Sequence, residues 1–78
     1  MALYFFHLRD GGDMLLDPEG RQIADASAIP GMALTDARGI ISQDALSGHV
    51  QLDQWIDVND ETGALVHQLS FRDAVSFD

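Results

Sequence analysis

Three histidines are the residues of this chain best suited to metal binding or proton transfer, and they are widely separated. His7 lies in an apolar opening segment, His49 follows a glycine, and His67 lies in a later apolar segment. No two of them share the i, i+4 spacing that places two ligands on one helix face, and the chain has no cysteine. We therefore expect no metal site, and we interpret His7 as a half-buried, hydrogen-bonded residue of a sheet.

The acidic segment from Asp57 to Glu61 begins like a calcium-binding loop. Such a loop needs glycine at its sixth place and a bidentate glutamate at its twelfth. Here Gly63 comes one place late and Gln68 replaces the glutamate. No glycine pattern fits a phosphate group, and no serine, histidine and acid have the spacing of a nucleophilic site. We therefore expect no catalytic residue, no cofactor and no enzymatic activity.

Arginine and aspartate occur side by side where two predicted strands end, as Arg9-Asp10 and Arg72-Asp73. If those strands are neighbours, crossed guanidinium and carboxylate groups can clamp the end of the sheet. Asp44 is also unusual, because it falls in the apolar face of the predicted helix, where an unpaired carboxylate is costly. We expect Asp44 either to accept a hydrogen bond from Arg9, Arg72, a tyrosine hydroxyl or the backbone, or to lie where the helix frays.

The composition is strongly acidic. Four arginines and no lysine stand against thirteen carboxylates in 78 residues, which gives a formal net charge of -9. Phosphate backbones and anionic lipids repel such a chain, so we expect no direct binding to nucleic acid or membranes, whereas a basic protein partner is compatible. We also find no apolar run of membrane-spanning length and no leader pattern, and cysteine is absent, which together predict a cytoplasmic protein.

The chain reads as one domain over residues 1–78 that opens with a strand at about 2–9. This strand is apolar on both faces, with Tyr4, Phe6 and Leu8 on one face. A glycine pair then permits a hairpin, and a short second strand is interrupted by the turn at residues 17–20, which places it at a sheet edge.

A helix at about 27–47 and two further strands complete the pattern. Asp25 or Ser27 can cap the helix, and apolar residues recur along it with helical spacing. The last two strands are predicted at 52–58 and 64–71, joined by a polar loop.

These elements predict an α+β two-layer sandwich with the order β-β-α-β-β, in which one helix covers one face of a four-stranded, mainly antiparallel sheet. The first strand belongs in the middle, because both of its faces are apolar. The helix can cover only one face of the sheet. The residues expected on the other face are Phe5, His7, Trp55 and Val66.

The beginning and the end of the chain carry a family resemblance. The segments 4–11 (YFFHLRDG) and 69–75 (LSFRDAV), with the turn at 17–20 between them, resemble small alphaproteobacterial proteins that form a domain family of unknown function. The resemblance spans nearly the whole chain. It implies a bacterial source and a small size, and it brings no activity, cofactor or catalytic residue.

Two functional hypotheses remain. In the first, the chain is a small non-enzymatic interaction or accessory protein, which forms a homodimer or binds a protein partner through the uncovered sheet face. In the second, it is an acidic mimic of nucleic acid that inhibits a basic nucleic-acid-binding protein. They differ in whether aromatic residues or carboxylates supply the binding energy.

Overall fold

The opening segment forms the central strand of a five-stranded antiparallel sheet. In the computed structural model, which describes residues 1–75, this strand is β1 (Ala2–Asp10). Along one side it pairs with β4 (Gln54–Asp60), which in turn pairs with β5 (Leu65–Ser70). Along the other side its two halves pair with β2 (Asp13–Leu15) and β3 (Arg21–Ile23).

A single long helix packs on one face of this sheet. A 3₁₀ helix at Ala26–Ala28 leads directly into α1 (Ile29–Leu46). The Asp25 carboxylate caps the 3₁₀ helix by accepting a 3.0 Å hydrogen bond from the Ser27 amide. Pro30 lies in the first turn of α1, where a missing amide hydrogen costs nothing. Asp25 therefore caps the 3₁₀ helix rather than α1, whose N-cap is Ala28 without a side-chain hydrogen bond, and α1 begins two residues later than predicted.

The core lies between α1 and the central strands. Ile29, Ala33 and Ala37 of the helix are buried against Phe6 of β1 and Val58 of β4. The 3₁₀ helix Phe71–Ala74, which follows β5, also contributes to this core, and Phe71 is fully buried. The residues predicted to face the helix thus contribute to the core. Alternation of apolar residues along the strands and their 3.6-residue spacing along the helix each identify the buried side of the element.

A bulge in β5 changes which side chains share a face. Val58 lies opposite His67, but Asn59 lies opposite Leu65, so Val66 is an extra residue in the strand. Val66 is half exposed and borders a shallow pocket beside the start of α1. The prediction that Val66 continues the uncovered apolar face is therefore corrected, because the bulge reverses the alternation of side chains.

The predicted fold class is confirmed, with one helix on a mainly antiparallel sheet. The interrupted second strand appears as two short strands, β2 and β3, and both lie at the edge as predicted. The predicted clamp between the ends of β1 and β5 does not form. These strands are not neighbours, because β4 lies between them.

Gly39 in the middle of α1 provides a test of the helix. A Cβ added there meets no other atom within 4 Å. Replacing Gly39 with alanine should raise the free energy of unfolding by about 0.5–1 kcal/mol, because alanine loses less backbone entropy in a helix. Urea unfolding followed by circular dichroism measures this change. A loss of stability would mean that the helix backbone at Gly39 is not that of a regular α-helix.

Candidate interaction surfaces

The sheet face that α1 leaves uncovered, here called the open face, carries aromatic and charged side chains. The Phe5 and His7 rings are stacked, with 6.1 Å between their centroids and 8° between their planes. Trp55 on β4 lies beneath Arg9, whose guanidinium carbon is 5.0 Å from the ring centroid. The structure therefore brings Phe5, His7 and Trp55 to one face as predicted, and all three are half-buried.

A buried ion pair occupies the centre of the open face. Arg9 Nε donates a 2.8 Å hydrogen bond to Asp57 Oδ2, and Gln68 Nε2 donates a 3.1 Å bond to Asp57 Oδ1. The Asp57 side chain is only 10% exposed, whereas that of Arg9 is 30% exposed. Asp57 therefore has its hydrogen bonds satisfied by neighbouring strands, and Arg9 covers both the carboxylate and the tryptophan ring.

A turn seals the sheet edge between β2 and β3. Asp17 Oδ2 accepts a 3.1 Å hydrogen bond from the Phe6 amide, in place of a neighbouring strand's carbonyl. The Asp17 amide in turn donates a 3.0 Å bond to His7 Nδ1. His7 is therefore half-buried and hydrogen-bonded, as predicted, with its Nδ1 as the acceptor.

The carboxylate of Asp17 is held in its charged form by backbone amides. Burial raises its pKa, but the hydrogen bonds from Phe6, Gly20 and Glu19 outweigh that effect and hold the pKa below its usual value of 3.8. Hydrogen bonds from Ser27 lower the pKa of Asp25, and bonds from Thr62 and its neighbours lower that of Asp60. These acids therefore favour the folded state only while they are ionised.

We expect the protein to lose stability in acid. An acid with a lowered pKa in the folded state stabilises it fully above the pKa of the unfolded chain, and this contribution disappears as the pH falls through the folded-state pKa. The free energy of unfolding should therefore decrease as the pH falls from about 5 towards about 2. Urea unfolding over this range measures the loss, and Asp17→Asn should make the curve flatter.

The exposed Asp73 provides the control for that experiment, because none of the described residues donates a hydrogen bond to its carboxylate. Asp73→Asn should leave the shape of the curve unchanged. Equal flattening by both substitutions would contradict a specific role for Asp17.

An open groove, here called the groove, lies on the helix-covered side of the sheet, between α1 and the segment from Leu15 to Arg21. Its volume is about 900 Å³. The floor is apolar and includes Phe6, Leu8 and Ile56. On the helix side, Gly39 lines the groove without a side chain that would fill it. At one end of the groove, Arg21 forms an ion pair with Asp36, and its guanidinium carbon lies 4.2 Å from the centroid of the Phe6 ring. Sequence reasoning missed the groove, because it depends on how far the 17–20 turn stands from the helix.

Asp44 borders the groove instead of making the predicted hydrogen bond. It is half-buried, and none of the described residues donates a hydrogen bond to its carboxylate. Its backbone oxygen accepts hydrogen bonds from Ser47 and from the His49 amide. The predicted bond from Arg9, Arg72 or a tyrosine is therefore wrong, and the two arginines pair with Asp57 and Asp53 instead.

The remaining predicted polar residues, Asp10 and Arg72, lie at or just beyond the ends of β1 and β5. Arg72 forms an exposed 2.7 Å ion pair with Asp53, and Asp10 accepts a 3.4 Å bond from Gln54. Gln54 is a buried polar residue that the sequence reasoning missed, and no described residue pairs with its Oε1 atom. Over residues 1–75, no group of three histidine or acidic side chains could hold a metal ion, and no helix is long and apolar enough to cross a membrane.

The fold and its surfaces define a class of small α+β proteins with one helix on an open-faced sheet. Residues 3–72 match a family described as a domain of unknown function (DUF6894), and the chain belongs to that family. No curated protein matches the chain, and no solved structure matches it.

Proposed function

We propose that this chain is a non-enzymatic interaction protein that self-associates through its open face. The observation that carries this proposal is a half-exposed Trp55 under Arg9, next to the stacked Phe5 and His7, on a sheet face that no helix or strand of residues 1–75 covers. Tryptophan and arginine are the residue types most enriched among those that dominate binding energy. The tail residue Phe77, which could also cover this face, lies outside the described residues.

The ion pair at the centre of the open face suits it for burial in an interface. A charge that enters an interface unpaired loses its hydration without compensation. Asp57 already has Arg9 and Gln68 as partners within one chain, so docking another surface on the open face would not bury Asp57 as an unpaired charge. Exposed Met14 and Leu65 at the flanks, 45% and 55% exposed, add apolar area around this centre.

A second copy is the occupant that we propose for the open face. Closed two-fold dimers are the commonest assemblies of small soluble proteins, and they pair identical patches. Each copy carries a net charge of -9, so the two copies repel each other over distance. Salt screens this repulsion, and self-association should therefore become stronger as the salt concentration rises.

Trp55→Glu is expected to give a monomer, because the new carboxylate would be desolvated at the centre of the interface. Sedimentation equilibrium at about 0.05 M and about 0.5 M salt measures the assembly state. Trp55 is the single tryptophan of the chain, so its fluorescence reports directly on this face. Its emission should shift to shorter wavelengths as the native protein is concentrated.

Val50→Glu is the matched control, since it also places a carboxylate on a half-exposed apolar residue but lies in the segment after α1. It should leave the assembly state unchanged. A native chain that stays monomeric at high micromolar concentration in both salt conditions would contradict self-association.

The alternative function, an acidic mimic of nucleic acid, needs free carboxylates along one surface. Several carboxylates are instead engaged within the chain, as caps, ion pairs or acceptors of backbone amides, which favours the interaction protein. Capture of a basic nucleic-acid-binding protein, lost at about 0.5 M salt and retained by Trp55→Glu, would support the mimic instead.

We also propose an alphaproteobacterial source and a cytoplasmic location. The end segments support an alphaproteobacterial origin through their resemblance, and the lack of cysteine is compatible with a reducing cytoplasm.

A further inference from the structure

The groove presents apolar side chains that nothing in the described chain covers. Leu15 lies opposite Leu8 on the helix-facing side of β2, but α1 does not reach it, and it is 69% exposed. The adjacent Leu16 is 64% exposed. Adjacent exposed aliphatic side chains that continue an apolar groove form the kind of contiguous patch that marks a binding surface.

The charges that border the groove are mainly negative. Glu19 and Asp44 border it without a hydrogen-bond donor to either carboxylate among residues 1–75. Arg21, the one basic residue of the lining, is neutralised by Asp36. A ligand with cations beside its apolar groups therefore complements the groove, because it would supply the donors that Glu19 and Asp44 lack.

We propose that the groove binds a basic amphipathic helical segment of a partner protein. Apolar side chains of that segment lie over Leu15, Leu16 and the floor, and its lysines or arginines meet Glu19 and Asp44. A helix laid in an apolar groove is a recurring mode of peptide recognition, with anchors at i, i+3, i+4 and i+7.

A second copy of this chain is a poor occupant of the groove. The chain has four arginines and no lysine. Arg9, Arg21 and Arg72 are paired with aspartates, and Arg38 donates its Nε proton to the Ala74 carbonyl at 2.9 Å. The acidic surface would also repel a second copy. The groove proposal is therefore independent of self-association through the open face.

A small cationic amphiphile is the other ligand to consider, because the volume of the groove suits a small molecule. Leu15 and Leu16, however, stand at the rim, where a small ligand seated on the floor would leave them exposed. A longer segment covers both leucines, and this favours a peptide.

The test uses the full-length protein and two synthetic helical peptides of about 18 residues with leucines on one face. One peptide carries lysines on the other face, and the second carries glutamates in their place. Fluorescence anisotropy of the labelled peptides measures affinity, and methyl and amide chemical shifts locate the site. We expect the lysine peptide to bind, with shifts at Leu15, Leu16 and Asp44, and to weaken as salt rises.

Gly39→Leu fills the groove from the helix side and should weaken binding of the lysine peptide at least about tenfold. Leucine favours a helix more than glycine does, so the variant should remain folded. Gly31→Leu is the control, because Gly31 is in the same helix with open space around it but outside the groove. Asp44→Asn should weaken binding by about threefold or more, and Asp73→Asn should leave it unchanged.

Several results would overturn the groove proposal. They are absent binding of the lysine peptide, equal binding of the glutamate peptide, undiminished binding by Gly39→Leu, or chemical shift changes centred on Phe5 and Trp55. Equally tight binding of octylammonium would indicate a small-molecule site instead. The Trp55→Glu variant should keep the peptide affinity of the native chain, so loss of self-association and loss of groove binding are separate outcomes.

Discussion

Replacement of Gly20 by alanine should lower the free energy of unfolding by about 3 kcal/mol. The backbone angle φ of Gly20 is 73°, a value that residues with a side chain rarely adopt. An added Cβ would lie 2.9 Å from the Tyr4 carbonyl oxygen and 3.0 Å from side-chain atoms of Leu3 and Phe5. The turn would have to move away from β1, and Asp17 would then lose its bond to the Phe6 amide. Urea unfolding measures the loss.

Gly63→Ala separates the steric effect from the backbone effect. Gly63 also has a positive φ, 87°, but a Cβ there meets no atom within 4 Å. Its replacement should cost only the backbone term, about 1–2 kcal/mol. Similar losses for both variants would contradict a tight contact between the turn and β1.

Replacement of Arg9 by methionine should cost about 3 kcal/mol, because it leaves the buried Asp57 carboxylate without its counterion. Methionine keeps much of the aliphatic cover over Trp55, so the loss reflects mainly charge. The double variant Arg9→Met/Asp57→Leu should recover most of the stability, since neither buried charge remains. Urea unfolding of the two single variants and the double variant gives the coupling energy.

Arg72→Met is the matched control for this experiment. The Arg72 and Asp53 side chains are 65% and 83% exposed, so solvent screens their attraction. Its loss should cost less than about 1 kcal/mol. If Arg72→Met cost as much as Arg9→Met, burial would not be what sets the strength of the Arg9–Asp57 pair.

Local patterns predicted the elements of the fold well. Alternation gave the faces of β1, and helical spacing gave the buried side of α1, because both signals depend on neighbouring residues. The central place of β1 followed from its two apolar faces. The cap by Asp25 and the hydrogen-bonded His7 could likewise be expected from residue type and place.

Features that depend on register were not predictable in the same way. The bulge at Val66 inserts one residue without a glycine or proline to signal it. The partner of Arg9 is Asp57 rather than a residue of the last strand, because strand order decides which charges meet. Asp44 was singled out from its helical position, but its place beside the groove could be seen only in the tertiary structure.

The pairing of β1 with β4 also affects the order in which the chain can fold during synthesis. Arg9 and Asp57 are neighbours in the sheet but 48 positions apart in sequence. The β4–β5 hairpin and α1 need only local contacts, whereas β1 must wait until β4 leaves the ribosome. Until then, β2 and β3 can pair with only one edge of β1, and its other edge, which β4 will occupy, has no partner strand. The unpaired edge of β1 is therefore the part of the nascent chain most prone to pair with other chains before β4 emerges.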